Sequence, residues 1–165
     1  MIYVVGKGPS LDRITKETFE DRSAPVIALN ESIRIVQSLD ISNPLYSLQQ
    51  DGMRECMVRP TRGVLMLSEV SRDYFPDYYP RLLYDRVAMG LSPIEPACIV
   101  AMHFAKKWGY DRVIFLAFDA CMNGDVTYAS TLELKYQPAN KIDYLTHCKL
   151  IRQYAKQHNI TRIYR

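Results

Sequence analysis

Glycine and polar residues follow the first apolar run of this sequence, and their types suit the binding of an anion. Gly6-Lys7-Gly8-Pro9-Ser10 comes directly after the run Ile2–Val5. A glycine-rich turn between a strand and a helix can point backbone N–H groups at an anion, and the helix dipole favours negative charge there. The turn therefore predicts a bound phosphate, which we expect to belong to a nucleotide.

The same turn also has a purely structural interpretation. Leu11 stands where the third glycine of a dinucleotide turn would be, and the Gly-Lys-Ser/Thr ending of a P-loop is absent. A tight turn in which Ser10 only caps the following helix would use the same residues. The combination Gly-x-Gly-Pro-Ser-Leu directly after an apolar run favours the binding interpretation.

Further polar side chains follow the other apolar runs. Asn30 comes after Val26–Leu29 and could hydrogen-bond a base or a ribose, or only cap the next helix. Asp51 and Asp119 follow later runs and could bind ribose hydroxyls or a magnesium ion, or cap the next element. Ser92 precedes a helical pattern, and the start of that helix is another candidate anion site.

Histidines and cysteines indicate little further chemistry. His103 and His147 fall on predicted helices, and His158 lies near the end of the last one. The sequence contains neither a Ser-His-Asp order nor a Gly-x-Ser-x-Gly elbow, so a hydrolase triad is not indicated. The four cysteines form no Cys-x-x-Cys pair, which argues against a zinc site. We expect free thiols in a cytoplasmic protein, with Cys98 and Cys148 in the core.

The elements that position these residues alternate between strands and helices. The predicted strands are Ile2–Val5, Val26–Leu29, Leu45–Leu48, Val64–Leu67, Leu82–Tyr84, Val113–Leu116 and Ile160–Tyr164. The predicted helices are Leu11–Phe19, Ser32–Leu39, Pro93–Trp108 and Lys141–Gln157. This alternation predicts a single-domain, Rossmann-like three-layer α/β/α sandwich with a mostly parallel sheet, in which ligands bind beyond the carboxyl ends of the strands.

The third of these helices carries the clearest start pattern in the sequence. Ser92 can cap it, Pro93 suits the first helical position, and Glu95 completes a Ser-x-x-Glu capping box. The sequence therefore predicts that the helix begins at Pro93 and that Ser92 lies at its N-terminus.

The aromatic and proline-rich stretch at 70–85 is too interrupted for a long helix. It fits a packed surface loop whose tyrosines cover an edge of the sheet. It also fits a lid, an acceptor platform or a subunit contact, and the last of these would make the protein a homo-oligomer.

Composition limits the classes of partner. The net charge of +3 is mild, and no dense Lys/Arg patch is present, so nucleic acid is not an expected ligand. No apolar run approaches the roughly 20 residues of a membrane span.

Two segments of the sequence resemble bacterial CMP-sialic-acid-dependent sialyltransferases of glycosyltransferase family 42. The first runs from Val4 to Leu11 and is followed by Ala28-Leu29-Asn30. The second comprises a helix, Gly109-Tyr110, a strand, Phe118-Asp119, Asn123-Gly124 and Tyr128-Ala129. The opening is also similar to that of the archaeal 6-hydroxymethylpterin diphosphokinase group, so it indicates a nucleotide-binding superfamily more specifically than one reaction.

The resemblance implies roles for individual residues. It implies that Gly6, Gly8 and Ser10 hold the nucleotide phosphate, and Lys7 and Pro9 of the same glycine-rich turn count among the nucleotide-binding residues. Asn30 would contact the nucleotide or sugar, and Ser92 would approach the ribose or phosphate. Ala117, Phe118 and Asp119 would line the base and ribose pocket. Tyr128 would hydrogen-bond the leaving phosphate as the glycosidic bond breaks.

The sequence also departs from the family pattern. Cys121 stands near the family's first phosphate-binding tyrosine, and no histidine occurs at 136–140, where the family has its catalytic histidine. His147, which lies later on the last predicted helix, is the candidate replacement. We expect no counterpart of the family's extended lid, and such a shortened enzyme would suit a phage or mobile-element origin.

The expected function is a metal-independent glycosyltransferase that uses a nucleotide sugar such as CMP-sialic acid as donor and needs no other cofactor. One alternative is a magnesium-dependent phosphotransferase with the metal on Asp51, Asp119 or Asp125. The other is a nucleotide-binding or assembly module without catalysis.

Overall fold

A computed structural model describes residues 1–123, 128–134 and 141–165, and within it seven parallel strands form one sheet. The strands are β1 (Ile2–Val5), β2 (Val26–Leu29), β3 (Leu45–Gln49), β4 (Val64–Leu67), β5 (Arg81–Leu83), β6 (Arg112–Leu116) and β7 (Thr161–Tyr164). Their order across the sheet is β5-β4-β3-β2-β1-β6-β7. The predicted Rossmann-like α/β fold is confirmed, and the sheet is parallel throughout.

The strand order changes direction at β1. From β1 the chain builds outward through β2 to β5, and it then returns to place β6 on the other side of β1. Connections that leave neighbouring strands toward opposite sides open a crevice at the carboxyl edge of the sheet. The glycine-rich turn after β1 and the residues after β6 both lie at this crevice.

Both faces of the sheet are buried, which explains the continuous apolar runs of the strands. Side chains of β1 alternate between two core clusters, with Ile2 and Val4 in one and Tyr3 and Val5 in the other. The first cluster includes residues of α2 (Ala97–Lys107) and α4 (Lys141–Gln157).

Short elements cover the second face. They are the 3-10 helices Pro9–Arg13 and Ser130–Leu132, together with α1 (Ile33–Val36). The chain also forms the 3-10 helices Lys16–Thr18 and Asn30–Ser32. Leu11, Ile33 and Leu132 from these elements are almost fully buried against the sheet. The predicted helix at 11–19 is therefore wrong in type, and the predicted helix at 32–39 is wrong in length. Packing of a few apolar side chains stabilises turns here that are too short to form a stable helix by themselves.

The predicted start of α2 is also wrong. The helix begins at Ala97 after Pro96, whose backbone is extended. Proline disfavours helical geometry in the residue before it, so Pro96 sets the boundary. Ser92 lies in the preceding turn, where its Oγ accepts only a local bond of 3.3 Å from the Ile94 N–H.

The aromatic stretch packs largely on the protein itself, as the surface-loop interpretation predicted. Tyr74, Phe75 and Tyr78 lie against a small cluster formed by Met57, Leu65 and Leu67. Two of the tyrosine hydroxyls donate to main-chain oxygens, of Gly52 and Gly63. A role in subunit contact stays a prediction.

The α-helices of the described ranges include none that combines the length and the apolar character needed to cross a membrane.

Candidate functional site

A cavity of about 380 Å³ lies at the crevice beyond the carboxyl ends of the strands. Most of the residues predicted to bind a ligand line it: Gly6, Lys7, Gly8, Asn30, Ala117, Phe118, Asp119, Tyr128 and His147. The predicted residues Pro9, Ser10 and Ser92 do not. Asp51, a further candidate, lines it together with its neighbour Gln50, and residues that sequence reasoning missed also contribute to the wall, among them Arg86, Glu95 and Pro96.

The two glycines of the β1 turn are required by close packing against the strand end of β6. A Cβ on Gly6 would lie 2.6 Å from the carbonyl oxygen of Ala117. A Cβ on Gly8 would lie 2.1 Å from Asp119 Oδ2 and 2.9 Å from the same carbonyl. Any side chain at either position would therefore displace the residues after β6.

The N–H groups of this turn are already used inside the protein. Gly6 N–H and Gly8 N–H donate to the carbonyls of Leu116 and Ala117 at 2.8 and 2.9 Å. The Ser10 N–H and Oγ–H both donate to Asp119 Oδ2, at 3.0 and 2.9 Å. The buried Asp119 carboxylate thus takes the place that we predicted for a phosphate at Ser10, and these N–H groups do not form a free phosphate cradle.

Lys7 supplies the positive charge at this end of the cavity. Its Nζ donates to Glu31 Oε2 at 2.9 Å, and it lies 4.6 Å from the centre of the Tyr128 ring. Glu31 is fully buried, whereas the Lys7 side chain keeps 14% of its exposure. The buried Glu31 carboxylate holds the Lys7 ammonium group beside the Tyr128 ring, and both Lys7 and Tyr128 line the cavity.

Two strand ends at the cavity adopt left-handed backbone conformations. Asn30 after β2 has φ of +50°, and Ala117 after β6 has φ of +57°. Asparagine tolerates this region, but alanine adopts it only at a cost in free energy. At Ala117 the conformation aims the carbonyl at Gly8 N–H, and at Asn30 the side-chain Oδ1 accepts the N–H of Gln50 at 3.2 Å.

Asp51 and Arg86 lie on the β3 side of the cavity. Burial raises the pKa of Asp51 above its usual value, the Lys7 charge opposes that rise, and the Glu31 charge adds to it. The Arg86 guanidinium is paired with Glu69 through its Nε at 2.7 Å. Arg86 carries its positive charge in a largely buried position, and no feature of the sequence pointed to it.

An apolar wall faces these charged groups. Phe118 is partly exposed in the cavity and packs edge-on against Phe115, with 4.9 Å between the ring centres. Leu29, Pro96 and Ala97 continue the wall. A cavity with an apolar wall and a few charged groups is typical of small-molecule sites, and an aromatic ring offers a stacking surface for a nucleobase.

The segment that carries Tyr128 is attached to the β1 turn. Ala129 N–H donates to the Lys7 carbonyl at 2.9 Å. Asp12 accepts bonds from the N–H and hydroxyl groups of both Ser130 and Thr131. Against the opposing effect of burial, these hydrogen bonds lower the pKa of Asp12 to about 2.

His147 lines the cavity from its position on α4. The sequence placed His147 on this helix but did not indicate that the helix borders the site. Helix α3 (Asp119–Asn123) adjoins α4 and contributes Cys121 to the same wall. The segment at 136–140, where the resembled family has its catalytic histidine, and Asp125 lie outside the described residues.

The prediction of free cysteines is wrong for Cys121 and Cys148. A disulfide joins them with 5.3 Å between the Cα atoms, whereas Cys56 and Cys98 are free and buried. The bonded residues are 27 positions apart in sequence, and only the meeting of α3 and α4 brings them together. The predicted burial of Cys98 and Cys148 is confirmed.

Within residues 1–123, 128–134 and 141–165, no group of three or more His, Cys, Asp or Glu side chains is arranged to hold a metal ion.

When compared with known proteins, the chain matches no family model, no curated protein and no solved structure. The resemblance to the sialyltransferases therefore stays a prediction.

Proposed function

We propose that the protein is a nucleotide-sugar-dependent glycosyltransferase whose donor binds in the cavity at β1 and β6. The observation that carries the proposal is that Lys7, Tyr128 and His147 line one cavity. Transfer of a sugar from a phosphate leaving group needs stabilisation of the charge that develops on the phosphate and a base for the acceptor. An ammonium group, a phenol and an imidazole supply these functions.

The shape and lining of the cavity support a nucleotide as the ligand. About 380 Å³ falls within the range of small-molecule sites. In the proposed complex, the base stacks near Phe118, and the phosphate lies toward Lys7 and Tyr128 rather than on the N–H groups of the β1 turn. This arrangement agrees with the occupation of the Ser10 donors by Asp119.

In the proposed reaction, a ring nitrogen of His147 takes the proton of the acceptor hydroxyl while that oxygen bonds to the anomeric carbon. The bond between the anomeric carbon and the phosphate oxygen breaks, and its electron pair leaves with the nucleotide. The Tyr128 hydroxyl donates a hydrogen bond to the leaving phosphate, and the Lys7 charge stabilises it. The step as proposed uses no metal ion.

Ligand binding is the first test. The protein is melted in the presence of CMP, CDP, UDP, GDP, ATP or NAD, with and without magnesium. A ligand at a hundredfold excess over its Kd adds about 2.7 kcal/mol to the free energy of unfolding. We expect stabilisation by at least one nucleotide without magnesium. Stabilisation by ATP only with magnesium would favour the phosphotransferase alternative.

Turnover is the second test, with CMP-sialic acid and other nucleotide sugars as donors and release of the nucleotide as the readout. His147→Gln should abolish transfer and preserve nucleotide binding. His158→Gln is the matched control, since His158 directly follows the C-terminus of α4 and is not among the cavity residues. Tyr128→Phe should lower kcat by about a hundredfold, as loss of one charge-stabilising donor does elsewhere. The proposal is refuted if no nucleotide binds and if neither transfer nor donor hydrolysis is detected.

A further inference from the structure

Two elements that border the cavity are joined covalently. Cys121 in α3 lines the cavity and is partly exposed, and its bonded partner Cys148 in α4 is buried. Cys148 directly follows His147, which also lines the cavity. The disulfide therefore lies one residue from the group that we propose as the base.

Other contacts anchor the opposite half of α4. Ile151 and Ala155 are almost fully buried in the core cluster beneath the helix, whereas Leu145 is 47% exposed. Helix α3 has only five residues, too few to be stable without tertiary contacts. The disulfide is thus a link between a short helix and the end of α4 that carries His147.

From this arrangement we propose that the Cys121–Cys148 disulfide is a redox-sensitive positioning device, which holds His147 at the cavity when oxidised and releases it when reduced. The role of His147 as base rests on the proposed function, but its position does not. The cysteines are positioning residues because neither contacts the reacting atoms.

The chemistry is thiol–disulfide exchange with a dithiol. One thiolate of the reductant attacks a sulfur of the pair and forms a mixed disulfide, and its second thiol displaces the protein sulfur. Two electrons and two protons pass to Cys121 and Cys148, and the dithiol becomes a disulfide. Cys98 does not compete as a nucleophile, since burial raises the pKa of its thiol to about 12.

The experiment compares the full protein after oxidation with glutathione disulfide and after reduction with dithiothreitol. Intact mass after alkylation under denaturing conditions should show two reactive thiols in the oxidised protein and all four in the reduced protein. Hydrogen exchange then reports on the backbone of residues 145–150, and diethylpyrocarbonate labelling reports on the exposure of His147. Reduction should raise both rates by at least about tenfold, because local opening exposes the amides and the imidazole.

Variants separate positioning from general stability. Cys148→Ser should behave like the reduced protein and should not respond to dithiothreitol, whereas Cys56→Ser should respond as the wild type does. If Cys148→Ser does not fold, reoxidation of the reduced wild type must restore slow exchange. In the transfer assay, reduction should lower kcat by at least about tenfold and change KM for the donor little, because Lys7 and Phe118 lie outside the released segment.

Failure of this proposal is distinct from failure of the proposed function. An oxidised protein with four reactive thiols, or reduction that leaves exchange at 145–150 unchanged, would overturn the positioning role even if transfer is observed. Absence of binding and transfer in both redox states would refute the transferase proposal, while the exchange data would still decide the role of the disulfide.

Discussion

Replacement of Gly8 by alanine tests the close contact between the β1 turn and the end of β6. The added Cβ would lie 2.1 Å from Asp119 Oδ2 and 2.9 Å from the carbonyl oxygen of Ala117. The carbonyl is main chain and already accepts the Gly8 N–H, so it cannot move away without loss of that bond. The simplest response is rotation of the Asp119 carboxylate.

Rotation of Asp119 would break both hydrogen bonds from Ser10. Bonds to a charged acceptor contribute about 1.5–3 kcal/mol each, and Asp119 is only 6% exposed, so water replaces them poorly. We therefore expect Gly8→Ala to lower the free energy of unfolding by about 3–5 kcal/mol. If the free energy of unfolding falls by about 2 kcal/mol per molar urea, the urea concentration at the midpoint of unfolding falls by about 2 M.

Two further variants make this expectation specific. Gly52→Ala is the matched control, because its Cβ would have no neighbour closer than 3.7 Å, and its effect should stay within about 1 kcal/mol. Ser10→Ala should lower the free energy of unfolding of the wild type by about 1.5 kcal/mol. In the Gly8→Ala background the same change should have almost no effect, because the hydrogen bond from Ser10 Oγ to Asp119 is already lost there. Equal costs of Ser10→Ala in both backgrounds would refute the reasoning.

Two more predictions concern the charges around the site. The pKa of Asp12, about 2 in the folded protein, is below its ordinary value of 3.8, so its contribution to stability is present above pH 3.8 and is lost as the pH falls toward 2. Urea midpoints measured through this range should fall more steeply for the wild type than for Asp12→Asn, and parallel curves would contradict this assignment. Lys7→Met leaves the buried Glu31 without its ion pair and should cost about 3 kcal/mol in urea unfolding. Lys7→Met combined with Glu31→Gln should recover most of that loss, and no recovery would show that the ion pair is not the cause.

The sequence by itself determined the sheet. Runs such as Ile2–Val5 and Val26–Leu29 are short and apolar without alternation, which is typical of strands that are covered on both faces, and every side chain of these runs is buried. The bounds of these strands, and of the helix Lys141–Gln157, follow from local pattern and agree with the structure. Since parallel strands share one carboxyl edge, the approximate location of the site also followed from the sequence.

Contacts between distant residues decided the chemistry inside the site. Asp119 occupies the donors of Ser10, 109 residues earlier in the chain, and turns a predicted phosphate cradle into a structural contact. Arg86, His147 and the Cys121–Cys148 disulfide reach the cavity through packing of elements whose meeting no local pattern records. A local pattern specifies which backbone conformation a segment prefers, whereas the partner of each polar group depends on the whole fold.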